Sequence, residues 1–208
     1  MRFYYLFIYR LFVCLIDLSV YFSGGWTLVK KLDRTTGFPQ PEIIGTYLDD
    51  YQILSDYKNA LLFLSPTGLK KLREDMGFDQ IRFYCNKVNV GKVIHIKTNK
   101  GALGEAVVNF YTVKPVETVA NFPTACGSFD IMPDDTSEFS ERCNEWGLPW
   151  ANPQKWGHAS FTAEKRMFFY IGFVIHQHEF SFIRLTCDDN WSTPSPTANG
   201  DQFKIFVR

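Results

Sequence analysis

The chain has no surplus of charge of either sign. Lysine plus arginine and aspartate plus glutamate each number 22, so the formal net charge at pH 7 is zero. No global field exists to gather phosphate backbones or to steer a strongly charged ligand, and nucleic acid is excluded as an expected partner. Catalytic signatures are equally scarce. There is no GxSxG elbow, no HExxH and no cysteine in a family-type catalytic context, and the glycines at Gly101 and Gly104, beside Glu105, lack the GK[ST] of a phosphate loop. The expectation is a protein that is not an enzyme. No internal repeat and no charge run appears, and the few cysteines include no CxxC pair and no Cys/His spacing typical of zinc.

What is present points to a single secreted domain. At 208 residues and 46% hydrophobic the chain can bury one sizeable core, and a second full domain would be cramped. Aromatics make up 17% of it and fall in short β-like runs separated by Gly, Pro and Asn, a pattern of strands and loops. Residues 1–23 form a hydrophobic N-terminal segment, apolar from Phe3 to Phe22 except at Arg10, Asp17 and Ser19, after the basic start at Arg2. We read it as a secretory signal, with an anchor at the cell surface and a buried structural segment as the alternatives. As a membrane span, Arg10 and Asp17 would each cost about 3 kcal/mol. Only that anchor reading would bring a membrane partner. The folded domain is expected over residues 24–208.

Beyond Cys14 the cysteines are Cys85, Cys126, Cys143 and Cys187, an even set suited to two disulfides. Four cysteines allow three pairings, and Cys126 with Cys143 would close a compact loop. A glycosylation sequon lies at Asn190-Trp191-Ser192 in a turn-rich stretch.

Along the chain, residues 24–32 read as a strand with Trp26, Leu28 and Lys30 on one face and Thr27, Val29 and Lys31 on the other. A proline-bearing loop follows at 38–41. Helical patterning runs from Ser55, which is placed to cap a short helix carrying Ala60, Leu61 and Leu64. A second helix is punctuated by Ser65 as cap, Pro66 at its first position, a Leu69, Leu72 and Met76 stripe, and Gly77 at its end. Residues 81–85, 92–97 and 106–113 read as strands, the first two joined by a turn over 86–91. Residues 123–158 form a long loop rich in Pro, Asp, Gly and Trp that needs a covalent tie or a bound ion to hold one shape. Buried strands at 168–175 and 180–185 flank His176 to Glu179, and a last strand spans 203–207.

Within this frame several constellations carry chemistry. Asp49-Asp50, Asp134-Asp135 and Asp188-Asp189 are paired carboxylates in loops, read first as turn residues capping their own backbone and second as hard oxygen ligands for calcium. His176 and His178 would share a strand face and could both ligate zinc, but no third ligand opposes them. Trp146, Trp150 and Trp156 gather in the long loop with Asn144, Asn152 and His158. Flat apolar faces beside amide and imidazole groups suit sugar rings or peptide side chains, although covering the core is the competing role for these tryptophans.

Gly24-Gly25-Trp26-Thr27-Leu28-Val29 resembles the strand that opens fibrinogen-related domains. The closing Asp201-Gln202-Phe203-Lys204-Ile205-Phe206-Val207-Arg208 is similar to the terminal strand of their divergent cnidarian members. Between them Cys126-Gly127-Ser128-Phe129, Pro133-Asp134-Asp135, Lys155-Trp156-Gly157-His158 and Cys187-Asp188-Asp189 resemble further landmarks in the same order, across residues 24–208. The resemblance implies an α+β, fibrinogen C-terminal-like fold: an antiparallel sheet with short helices and long disulfide-tied loops. It implies no catalysis, a secreted location in an extracellular matrix, including the organic matrix of a mineral skeleton, and other matrix proteins, glycans or a mineral surface as partners. A lectin-like module is the alternative. Classical members hold calcium in an Asp-rich loop before their last disulfide, and Asp134-Asp135 beside Cys143 is the nearest equivalent; no other cofactor is expected.

Overall fold

The computed structural model describes residues 25–33, 49–55, 61–112, 118–159, 167–168, 174–175, 187–188 and 198–208. The segment 1–23, Cys14, the loop at 38–41, the strand expected at 180–185, His176, His178 and the sequon at Asn190 lie outside the described residues.

The elements are β1 (Thr27–Asp33), a 3₁₀ turn (Tyr51–Ser55), β2 (Leu61–Phe63), α1 (Pro66–Met76), β3 (Ile81–Lys87), β4 (Lys92–Thr98), α2 (Ala102–Thr112), a 3₁₀ turn (Val119–Asn121), β5 (Phe129–Ile131), α3 (Glu138–Glu141), a 3₁₀ turn (Cys143–Glu145), β6 (Met167–Phe168), β7 (Val174–Ile175) and β8 (Gln202–Val207). Among the described residues six strands form one sheet in the order β2-β1-β8-β3-β4-β5, and each neighbouring pair is antiparallel. β6 and β7 form a separate antiparallel pair. The architecture is α+β, an antiparallel sheet with short helices and two disulfides. The last strand of the chain is central, seated between β1 and β3.

Alternation along the central strands sends Ile81, Phe83 and Cys85 of β3, Ile94 and Ile96 of β4, and Phe203, Ile205 and Val207 of β8 into one buried cluster. α1 and α2 join that cluster with Leu69, Leu72, Val107, Val108 and Tyr111. Each such side chain contributes roughly 1.5 to 3 kcal/mol by leaving water. The opposite face is buried in part, at Arg82, His95 and Phe206. Arg82, between Ile81 and Phe83, is 1% exposed, and its guanidinium carbon lies 5.0 Å from the centre of the Trp26 ring. Arg208 covers Trp26 at 4.7 Å, and Tyr84 meets the His95 ring edge-on at 5.2 Å.

α1 follows its punctuation. The Ser65 hydroxyl accepts from the Gly68 N–H at 2.9 Å, Pro66 stands at the start, and Gly77 ends the helix at φ 71° with its N–H on the Arg73 carbonyl. That left-handed conformation is why glycine stands there. Met76 departs from the expected stripe and is 48% exposed. Arg73 then ties α1 to α2, donating to Glu105 at 2.5 Å and to Asn109 at 2.6 Å.

Three expectations are corrected. The helix foreseen around Ala60, Leu61 and Leu64 is replaced by β2, because Leu61 to Phe63 pair with Lys30 to Leu32 at the sheet edge. The strand foreseen over 106–113 is α2: Val107, Val108, Phe110 and Tyr111 all reach the core, a spacing that fits a helical stripe as well as an apolar run. The facing of β1 breaks at an irregularity between Leu28 and Lys30, so Trp26, Val29 and Lys30 are all buried. One extra residue in a strand turns the residues after it to the opposite face.

Candidate functional site

Trp146, Trp150, Trp156, Asn144, Asn152, His158, Asp134, Asp135, Cys126 and Cys143 all fall in the 118–159 segment, and Asp188 is bonded to it. That segment is no featureless loop. It holds β5, α3 and two 3₁₀ turns, and the Cys126–Cys143 disulfide spans 17 positions within it. The second cross-link, Cys85–Cys187, joins β3 to a residue 102 positions away. Of the three pairings open to the sequence this is the one formed. Disulfides of this kind point to an extracellular or secreted protein. Among the described residues no helix is long and apolar enough to cross a membrane.

The tryptophans separate into two roles. Trp146 and Trp156 are both 0% exposed. Trp146 stacks on Phe139 at 4.2 Å and on Phe129 at 5.0 Å, and meets Trp156 at 4.9 Å with the planes at 84°. Their indole N–H groups donate to the Phe139 carbonyl and the Ser128 hydroxyl, each at 2.9 Å. Both rings are built into the core, and neither offers a face to a ligand. Trp150 is different, at 68% exposure.

Its loop is held from beneath by Asn152, a residue 1% exposed. The Asn152 side chain accepts from the Leu148 N–H and donates to the Gly157 carbonyl, both at 3.0 Å. The Leu148 carbonyl in turn accepts from the N–H groups of Ala151 and Asn152. Gly147 adopts φ 81°, and a Cβ there would stand 1.9 Å from the Asn152 carbonyl oxygen. Asn152 is thus consumed by the scaffold. Asn144 is exposed and His158 half-buried.

Of the paired aspartates, Asp50, Asp135 and Asp188 go to the backbone, and Asp49 and Asp134 to side chains. Asp135 accepts the His95 N–H at 2.6 Å with one oxygen, and with the other the Ser137 N–H, the Ser137 hydroxyl and the Ser140 hydroxyl. Asp134 contacts Nδ1 of His95 at 2.6 Å. Asp188 accepts from the N–H groups of Glu138 at 3.1 Å and Phe139 at 2.9 Å, and pairs with Lys92 at 3.2 Å. Asp50 accepts from the Gln52 N–H, and Asp49 from the Ser65 hydroxyl. Among the described residues no group of three or more His, Cys, Asp or Glu side chains gathers as metal ligands. Burial lowers the pKa of His95, against the opposing pull of Asp134.

Two residues that matter here were given no role of their own from the sequence. Asp201 is 0% exposed and accepts from Val88 N–H at 2.9 Å and Ala198 N–H at 2.8 Å, fixing the turn that leads into β8. His95 lies in a strand of alternating residues, and nothing in its neighbours signalled a contact with Asp134, 39 positions away.

No family model, curated protein or solved structure matches the chain.

Proposed function

We propose that the chain is a secreted, non-enzymatic component of an extracellular matrix, built on a divergent fibrinogen-related domain. The observation that carries this reading is the pair of disulfides, one stapling a central strand and one closing the long loop. Cross-links of both kinds suit a domain that must hold its shape outside the cell. The use made of its polar residues supports the non-enzymatic part: Asp135, Asp188, Asp201 and Asn152 are spent on backbone N–H groups. Neutral overall charge argues against nucleic acid as a partner; other matrix proteins, glycans or a mineral surface are the partners that the fibrinogen-related resemblance implies. Calcium would act here as a weak surface partner of exposed carboxylates such as Asp134.

The test is expression of the whole chain in a secreting animal cell line that deposits a mineralised matrix. Recovery in the insoluble fraction after demineralisation, with all four cysteines oxidised under non-reducing mass spectrometry, is the expected result. Retention inside the cell with free thiols overturns the proposal.

A lectin-like or protein-binding reading has one observation in its favour, the exposed ring of Trp150 on a loop fixed by Asn152. Rigid aromatic residues on loops are frequent recognition anchors. Reproducible binding on a glycan array, lost on Trp150→Ala, would favour it over a passive matrix role, and loss with chelator would add calcium to it.

A further inference from the structure

The two disulfides are unequally guarded. Cys85 and Cys187 are each 0% exposed, whereas Cys126 and Cys143 are half-buried. α3 connects the two through its hydrogen bonds and the chain. Its first N–H groups, on Glu138 and Phe139, are held by Asp188, the residue next to Cys187. The Asp188 side chain is 0% exposed, and Lys92 of β4 pins it from the other side. At its far end α3 runs through Arg142 directly into Cys143, where the next 3₁₀ turn starts. A stretch of six residues therefore fastens the cap of one cross-link to a sulfur of the other.

We propose that α3 acts as a shutter that imposes an order on the two disulfides. Cys126–Cys143 exchanges with thiols first; its opening frees the C-terminal end of α3, loosens the Asp188 cap, and admits thiol to Cys85–Cys187. Each step is ordinary exchange with a dithiol. A reagent thiolate attacks one cysteine sulfur and breaks the S–S bond to give a mixed disulfide. The second reagent thiol then displaces that cysteine. The cysteine pair gains two electrons and two protons, and the reagent leaves as its own disulfide. Access to sulfur governs such rates, and access here depends on whether α3 is in place. The domain then has a graded response to a reducing environment, opening its long loop before it gives up the staple on its central strand.

The experiment is timed reduction of the native chain with dithiothreitol, alkylation of the freed thiols, and peptide mass spectrometry to see which pair has opened. The expected result is labelling of Cys126 and Cys143 first, with Cys85–Cys187 opening at least tenfold more slowly. Asp188→Asn tolerates the same backbone conformation, φ 53°, but offers one acceptor oxygen in place of two. It should speed opening of Cys85–Cys187 about tenfold while leaving Cys126–Cys143 within a factor of about two. The double variant Cys126→Ala/Cys143→Ala, which leaves Asp188 intact, should open Cys85–Cys187 without the lag seen in the parent, at the rate the parent reaches once its first pair is open. If Cys85–Cys187 opens first or together with the other pair, if a folded Asp188→Asn variant opens it at the parent rate, or if the double variant opens it more slowly than the parent or with the same lag, the ordered mechanism is wrong.

Discussion

The guanidinium carbon of Arg82 lies 4.0 Å from the centre of the Phe206 ring, on the sheet face opposite the main aliphatic cluster. Phe206 is directly across from Arg82 in the β3–β8 register, so the contact is set by strand pairing. Trp26 covers the same guanidinium from the start of β1. A planar cation between two rings is a role that lysine cannot fill. Arg82→Lys should cost about 1 to 2 kcal/mol and Arg82→Ala about 3 kcal/mol in urea unfolding. Equal stability of Arg82→Lys and the parent would refute the stacking role.

His95 should make the fold acid-sensitive. Its folded pKa is lowered, chiefly by burial, so the folded state binds this proton less readily than the unfolded chain, whose value is about 6.5. The stability contributed by the neutral ring is present in full above that pH. It is lost as pH falls from there toward the lowered folded value. His95→Gln should therefore lose less stability than the parent between pH 7.5 and pH 5, measured by urea midpoints at each pH.

Removing the cross-links should have graded effects. For 17 positions the chain-entropy argument gives about 3 kcal/mol, and for 102 positions about 5 kcal/mol. Cys126→Ala/Cys143→Ala should thus leave a folded domain of lower urea midpoint. Cys85→Ala/Cys187→Ala should come close to abolishing the fold, readable as loss of near-ultraviolet circular dichroism.

Trp146 and Trp150 should behave oppositely. Trp146→Ala removes a fully buried ring and should cost about 3 to 5 kcal/mol. Trp150→Ala should change stability by less than about 0.5 kcal/mol. Gly147→Ala tests the loop between them. Its Cβ would overlap the Asn152 carbonyl, so the variant should shift the Trp150 environment, seen as altered tryptophan fluorescence at nearly intact far-ultraviolet circular dichroism.

Local rules are legible where a residue and its consequence lie within one turn. Ser65, Pro66 and Gly77 mark α1 because capping chemistry acts over three or four positions. The β3–β4 hairpin is legible for the same reason, its strands adjacent and its turn carrying Asn89 and Gly91, the latter at φ 70°. The strand expected over 106–113 failed because a short apolar run is compatible with both periods, and packing against the sheet chose the helix. The irregularity in β1 left no local mark at all. Trp146 and Trp156 had both a binding and a covering role open to them; which prevailed depended on Phe129 and Phe139 arriving from other elements.

From composition, spacing and caps alone came the expectation of one domain rich in strands and loops with a capped helix, an even set of four cysteines suited to cross-linking, and a long loop that required a tie. Those features rest on quantities summed over the chain or acting between near neighbours. Tertiary structure alone decided that Cys85 pairs with Cys187, that β8 sits at the centre of the sheet, and that Asp188 caps α3 from 49 positions away. Such contacts depend on which segments the collapsed core brings together, and loop closure over a hundred residues leaves no trace in local sequence.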